Sequence, residues 1–294
     1  MSESGGGTAL AGPRGAMRIR GRVFPWGRRT YLMGIVNVSP DSFSGDGAAD
    51  TGAAVARALE QLADGADIVD VGAESTRPGY HPIDARTESA RLLPALRALR
   101  AAAPDAPISV DTFKPDVFRA ARSAGADLLN SIWGAPEALV AACAETMTPL
   151  VVMHNKAVAV YECDVMDEVL GFLDEAAARC VRAGIPADHV LLDPGIGFGK
   201  LPEHNIAVLR RLDRLVALGF PTLIGTSRKS TIGKLTGRGV GARAFGTAAT
   251  VALAVAAGID VVRVHDVAEQ RDVVRVSDAI VRGWRPDGWS EGLP

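Results

Sequence analysis

Eight times along the chain a short apolar run ends abruptly in polar residues: at 32–36, 68–71, 108–110, 128–129, 150–153, 190–192, 222–224 and 261–264. Runs this short, rich in Val, Ile and Leu, read as strands buried on both faces. Between them lie stretches with apolar residues at helical spacing: 51–64, 85–102, 115–124, 136–147, 164–183, 203–218, 243–257 and 266–283. Gly65, Gly125, Gly184, Gly219 and Gly258 stand where a helix gives way to the next strand, the usual place for a left-handed cap. Eight strand–helix units in this order predict a (β/α)8 TIM barrel, whose working face lies where the strands end. Residues 17–24 and 28–32, joined by Pro25-Trp26-Gly27, predict an N-terminal β-hairpin that closes the bottom of the barrel. Connections 38–50, 72–84 and 226–242 are too long for simple turns and fall on the working face.

Residues 1–16 are rich in Gly and Ser and lack an apolar core, so they read as a disordered leader, leaving 17–294 as one domain. Of the 294 residues 48% are hydrophobic, enough for one large core, and the net charge of -2 demands neither nucleic acid nor a membrane surface as partner. Small molecules are the expected partners. The most apolar stretch, 247–262, is broken by Gly258 and Asp260 and is too short to span a bilayer. Cys143, Cys163 and Cys180 show no paired or metal-like spacing, which suits free thiols in a cytoplasmic protein.

The strand ends carry the chemistry. Asn37, Glu74, Asp111, Asn130, His154, Asp193, Ser227, Lys229, Arg263 and His265 all lie at or just past them. A carboxylate at the end of a buried strand is costly unless something pairs with it. Asp111, Asn130 and Asp193 together offer acceptors plus one amide, a set that reads the donor-rich edge of an aminopyrimidine and selects a pterin or guanine-like ring. Ser75, Thr76 and Arg77 before Pro78-Gly79 suit an oxyanion. LDPGIGFGK (192–200) fails both nucleotide-loop templates: its glycines alternate, and Leu201 follows Lys200 where a hydroxyl residue is needed. A glycine-rich turn that brings backbone close to a flat ligand explains it better. Arg228, Lys229 and Ser230 follow the seventh strand, a frequent phosphate site in such barrels. Arg263 and His265, two apart, share one side of the eighth strand and argue for anion binding. No cluster has zinc spacing; a metal here is expected to be Mg2+ bridging phosphate oxygens.

With these motifs in hand, the chain resembles the dihydropteroate synthase family from about residue 30 to about residue 283. MGIVNVSPDSFS, ESTRPG, ISVDT, LLDPGIGFGK, GTSRKS and RVHDV stand in that family's order and spacing. The resemblance implies a transferase that joins p-aminobenzoate to 6-hydroxymethyl-7,8-dihydropterin pyrophosphate and releases pyrophosphate. It implies that Asp111, Asn130, Met153, Asp193, Phe198 and Lys229 hold the pterin. Asn37, Arg263 and His265 would form the pyrophosphate end, with Asn37 on Mg2+. Phe43, Thr76, Arg77 and Ser230 would form the p-aminobenzoate and sulfonamide side. Asp111, Lys229 and Arg263 would be catalytic, and a homodimer is implied. The chain departs from the family pattern at Ser131, where Asp is usual, in NKAVAVYEC (155–163), and in the glycine order of the first loop. Altered rims on a retained barrel also fit a paralogue with little or no synthase activity and weak pterin pyrophosphate binding. A pterin-dependent methyltransferase-type domain would share the Asp and Asn set but has no need of ESTRPG or SRKS.

Overall fold

The eight apolar runs pair as the parallel strands of a barrel, and helices cover the outside. The computed structural model describes residues 15–38, 47–74, 82–286 and 288–289, with 47–50 as backbone. A hairpin of β1 (Ala16–Ile19) and β2 (Arg22–Pro25) precedes β3 (Tyr31–Asn37), α1 (Gly47–Ala63), β4 (Ile68–Gly72), α2 (Ala85–Ala102), β5 (Ile108–Asp111) and α3 (Pro115–Ser123). Then follow β6 (Leu128–Ser131), α4 (Glu137–Thr146), β7 (Leu150–Met153), α5 (Val165–Arg182), β8 (Val190–Asp193), α6 (Pro202–Leu209), α7 (Leu212–Val216) and β9 (Leu223–Ile224). The chain ends with α8 (Ser230–Thr236), α9 (Ala244–Ala256), β10 (Val261–Val264) and α10 (Val267–Val281). The strand order is β8-β7-β6-β5-β4-β3-β10-β9. A parallel bridge between Leu192 and Thr222 joins β8 to the start of β9 and closes the ring.

Side chains alternate along each strand, so residues two apart share a face. Met33, Ile68, Leu128, Val151, Leu191, Leu223 and Val261 form the apolar lower layer and pack with Met17, Phe24, Trp26 and Tyr31 from the hairpin region. Two residues further on, the inward positions become Ile35, Asp70, Asn130, Met153, Asp193 and Arg263. The barrel therefore changes from apolar to polar within one layer, and that change sets the floor of the site. Helix caps fix the alternation: Asp84 accepts from Thr87 N at 2.7 Å, Asp164 accepts from Met166 N at 2.9 Å, and all five helix-ending glycines have positive φ.

Four expectations change. The hairpin turns at Arg20-Gly21, both with positive φ, and not at Pro25-Trp26-Gly27; Trp26 is buried and donates Nε1–H to Asp188 O at 2.9 Å. Ala16 opens the first strand, one residue inside the segment read as a leader; residues 1–14 lie outside the described set. The helix expected over 203–218 is two, because the backbone turns at Arg211 (φ -130°, ψ 30°), whose guanidinium grips Asp164, the N-cap of α5, at 2.9 and 3.0 Å. The connection 226–242 contains α8. No helix among the described residues is long and apolar enough to cross a membrane.

Candidate active site

At the C-terminal ends of the strands, four side chains from four strands form one buried hydrogen-bonded chain. Asn130 on β6 donates Nδ2–H to Asp70 Oδ2 at 2.9 Å. Arg263 on β10 donates Nε–H to the same oxygen at 2.7 Å and an Nη2–H to Asp111 Oδ2 on β5 at 2.9 Å. Burial works against the Arg263 charge, but Asp70 and Asp111 more than offset it and hold its pKa above the ordinary value. Burial raises the Asp111 carboxyl well above the usual carboxylate range, against the pull of Arg263. Asp193, at the end of β8, accepts Gly195 N–H at 2.7 Å, and burial pushes its pKa up to about 6 despite that bond and nearby Lys229.

The glycine-rich turn after β8 seats an aromatic ring over the site. Gly195 takes φ 69°, and a Cβ there would lie 1.9 Å from His154 O, so no other residue fits. Asn205 Oδ1 accepts Gly197 N–H at 2.8 Å, and the Phe198 ring lies 4.0 Å from Lys229 Nζ, centroid to nitrogen. Lys200 turns away from the lumen: its Nζ sits 2.8 Å from His154 Nδ1 and donates to Gly195 O at 3.1 Å and Phe198 O at 3.2 Å. Burial lowers the Lys200 pKa to about 7 and that of His154 to about 3. His154, one position past the inward-facing Met153, accordingly belongs to the outer packing and to no substrate surface.

The departures from the family pattern that fall among the described residues, Ser131 and segment 155–163, lie on this outer side. Ser131 follows the inward-facing Asn130 and so points away from the lumen, fully buried; it does not line the cavity. Segment 155–163 is tied to the glycine turn, with Tyr161 Oη donating to Gly199 O at 2.7 Å and Lys156 Nζ to Glu168 Oε1 at 2.7 Å. The first loop, with Phe43, and the second, with Thr76 and Arg77, lie outside the described residues.

Over the network opens a cavity of about 410 Å³, lined by Asn37, Asp111, Phe198, Lys229, Ser230, Arg263 and His265 among others. Asn130, Met153 and Asp193 lie buried at the same strand ends rather than on its lining. At the rim, His265 Nδ1 is 3.0 Å from Ser227 Oγ, which also accepts His265 N–H at 3.1 Å. Arg228, in the left-handed region at φ 58°, pairs with Asp266, and Arg243 donates to Arg228 O at 2.8 Å. Sequence reasoning passed over Asp70, Arg243 and the anchoring of Glu74. Glu74 lines the cavity and is ion-paired to Lys114, which also holds Glu88 at 2.5 Å. A carboxylate in the middle of an apolar run, as in IVDVG, is the signal that would have found Asp70. No cluster of three or more His, Cys, Asp or Glu suited to a metal occurs among the described residues.

Residues 33–265 match the model of the pterin binding enzyme family. A dihydropteroate synthase of Clostridium beijerinckii is 41% identical over 270 residues, covering 90% of this chain and 100% of its own. The crystal structure of a dihydropteroate synthase from Clostridium difficile in the presence of pteroic acid superposes with a TM-score of 0.84 at 41% identity, over 87% of this chain and 98% of that one. A Thermus thermophilus dihydropteroate synthase in complex with 6HMPPP gives 0.79 at 43% identity, over 90% and 99% of the two chains.

Proposed function

The chain belongs to the pterin binding enzyme family, with dihydropteroate synthases as its relatives over nearly its whole length, and from this premise we propose how its site works. The reaction condenses 6-hydroxymethyl-7,8-dihydropterin pyrophosphate with p-aminobenzoate and releases pyrophosphate. The observation that carries the reading is the polarity of the lumen: strand-borne Asp111, Asn130 and Asp193 below, and Lys229, Arg263 and His265 facing the cavity. Asp193 and Asn130 take the donor-rich edge of the pterin, Met153 and Phe198 flank its ring, and Lys229 covers it. Asn37, Arg263 and His265 take the pyrophosphate.

Heterolysis of the carbon–oxygen bond sends its electron pair to the pyrophosphate and leaves a cation delocalised into the pterin ring. Fixed cations around the leaving group stabilise charge as it develops, which is preorganised electrostatic catalysis. Asp111 stabilises the cation. The amine of p-aminobenzoate, with Phe43, Thr76, Arg77 and Ser230 as the residues that bind this substrate, forms the new carbon–nitrogen bond and then loses a proton. Mg2+ would neutralise pyrophosphate oxygens when bound. Asn37 is the residue that would hold it, and a single protein oxygen fits a cation that keeps waters and phosphate oxygens as its other ligands.

Phe245 and Leu253 on α9 and Val276 and Ile280 on α10 are exposed on neighbouring helices, an apolar surface suited to a homodimer. Buried thiols at Cys143 and Cys180 suit a cytoplasmic setting. The test mixes the purified protein with both substrates and Mg2+ and follows dihydropteroate by mass. Wild type should form it, and Lys229→Ala should not. No product from wild type, with no pterin pyrophosphate binding by calorimetry, would overturn the reading in favour of an inactive paralogue.

A further inference from the structure

Asp70 lies at the centre of the lumen, fully buried, and ties together two residues that the proposed reaction assigns to different halves of one substrate. Its Oδ2 takes both Asn130 Nδ2–H and Arg263 Nε–H, while its Oδ1 is buried and accepts no hydrogen bond from any described residue. A carboxylate with one orphaned oxygen is a poor structural tie, because desolvating that oxygen costs more than an extra bond returns. Its arrangement makes sense as orientation. An ionised carboxylate only accepts, so the edge of the Asn130 amide that faces Asp70 must be its NH2. The planar amide then turns its Oδ1 acceptor the other way, where the donor edge of an aminopyrimidine requires an acceptor. The same oxygen fixes the Nε edge of Arg263, and Asp111 fixes one Nη2, so the guanidinium plane is set by two carboxylates from adjacent strands.

We propose that Asp70 is a positioning residue that selects the amide orientation of Asn130 and thereby the pterin-type edge the site accepts, while setting the plane of Arg263 at the anion end. This rests on the reaction proposed above. The probe that separates the two roles is 6-hydroxymethylpterin, which lacks the anionic tail and so reports the Asn130 route alone. Calorimetry on the full-length protein should show Asp70→Asn weakening 6-hydroxymethylpterin by about tenfold or more, the loss expected when a charge-assisted hydrogen bond no longer holds its partner. The KM for p-aminobenzoate should stay within about twofold. In an Asn130→Ala background Asp70→Asn should add little, because the orientation it controls is already gone.

The exchanged pair, Asp70→Asn with Asn130→Asp, restores a donor facing an acceptor and should regain part of the affinity; it also serves if Asp70→Asn alone unfolds. Wild-type-like binding by folded Asp70→Asn would overturn the inference. So would an equal loss in the Asn130→Ala background, or a folded exchanged pair with no regained affinity. Failure of wild type itself to bind 6-hydroxymethylpterin would instead overturn the proposed reaction, and this inference with it.

Discussion

Replacing Lys200 with Met tests how the glycine turn is held. Lys200 is 9% exposed, and the substitution keeps most of its apolar stem and removes the amine, which lies within 3.2 Å of His154 Nδ1, Gly195 O and Phe198 O. At about 1 kcal/mol net for each hydrogen bond, the three contribute about 2 to 3 kcal/mol. That contribution depends on pH with a definite sign. Burial lowers the Lys200 pKa from 10.5 to about 7, so between those values the unfolded chain carries the proton and the folded one does not. Stability from a group of this kind is fully present above the unfolded pKa and is lost as pH falls through the folded one, with a slope of at most about 1.4 kcal/mol per pH unit.

The wild-type advantage over Lys200→Met should therefore approach about 2 to 3 kcal/mol as pH rises towards 10.5, be about 2 kcal/mol smaller at pH 9, and change sign before pH 7. Urea denaturation of both proteins at several pH values between 7 and 10 measures it directly. A difference that is flat or falls with rising pH would refute the reasoning, since Lys200 would then keep its proton, paired with Asp193 and Glu168, and act as an ordinary buried cation. Because the amine binds two carbonyls of the turn that carries Phe198, the variant should also lose pterin affinity at pH 9 while p-aminobenzoate affinity changes less.

The other predictions concern the floor, the turn and the surface. Asp193 has its pKa raised to about 6, and its ionised form accepts from ring N–H groups more strongly and with both oxygens, so 6-hydroxymethylpterin affinity should fall as pH drops through 6; Asp193→Asn should flatten that profile in calorimetry. Gly195→Ala forces a Cβ against His154 O at positive φ and should cost about 3 kcal/mol or more in urea denaturation; a change under about 1 kcal/mol would show that the turn can relax. Light scattering should give a dimer for wild type and a monomer for Ile280→Glu; an unchanged mass would move the interface elsewhere.

The barrel is legible in the sequence because its signals are local. Runs of Val, Ile and Leu bounded by cap glycines specify each strand and helix within a few residues, and tertiary packing only confirms them. The misses follow from the opposite cause. STIGKLT at 230–236 is a weak helix former, with Gly233 inside it, yet α8 forms because the Arg243 guanidinium packs so closely that a Cβ at 233 would lie 2.3 Å from it. The hairpin turn at Arg20-Gly21 was masked by the stronger-looking Pro-Trp-Gly, whose Trp is held by Asp188 from 162 residues away. Asp111, Asn130 and Asp193 stood out because they end their runs. Asp70 sits inside its run, and although a carboxylate there marks a buried partner, that partner, Arg263, is 193 residues distant and local spacing does not name it.

Under the proposed reaction, that long-range pairing also lets the site tell the two ends of one substrate apart. Asp70, Asp111 and Asp193 are carried on strands, whereas Arg228, Lys229 and Arg243 belong to connections beyond them, and Arg263 brings positive charge onto the barrel strands at the site. An axis with carboxylates below and cations above favours a ligand with a donor-rich ring at one end and a polyanion at the other. Reversed, such a ligand would set phosphate against three carboxylates in a low-dielectric lumen, where like charges repel far more strongly than in water. Arg263 sits at the junction, bonded to two carboxylates and exposed to the cavity. A leaving group that develops negative charge there meets a cation whose orientation is already fixed, so little reorganisation accompanies bond cleavage.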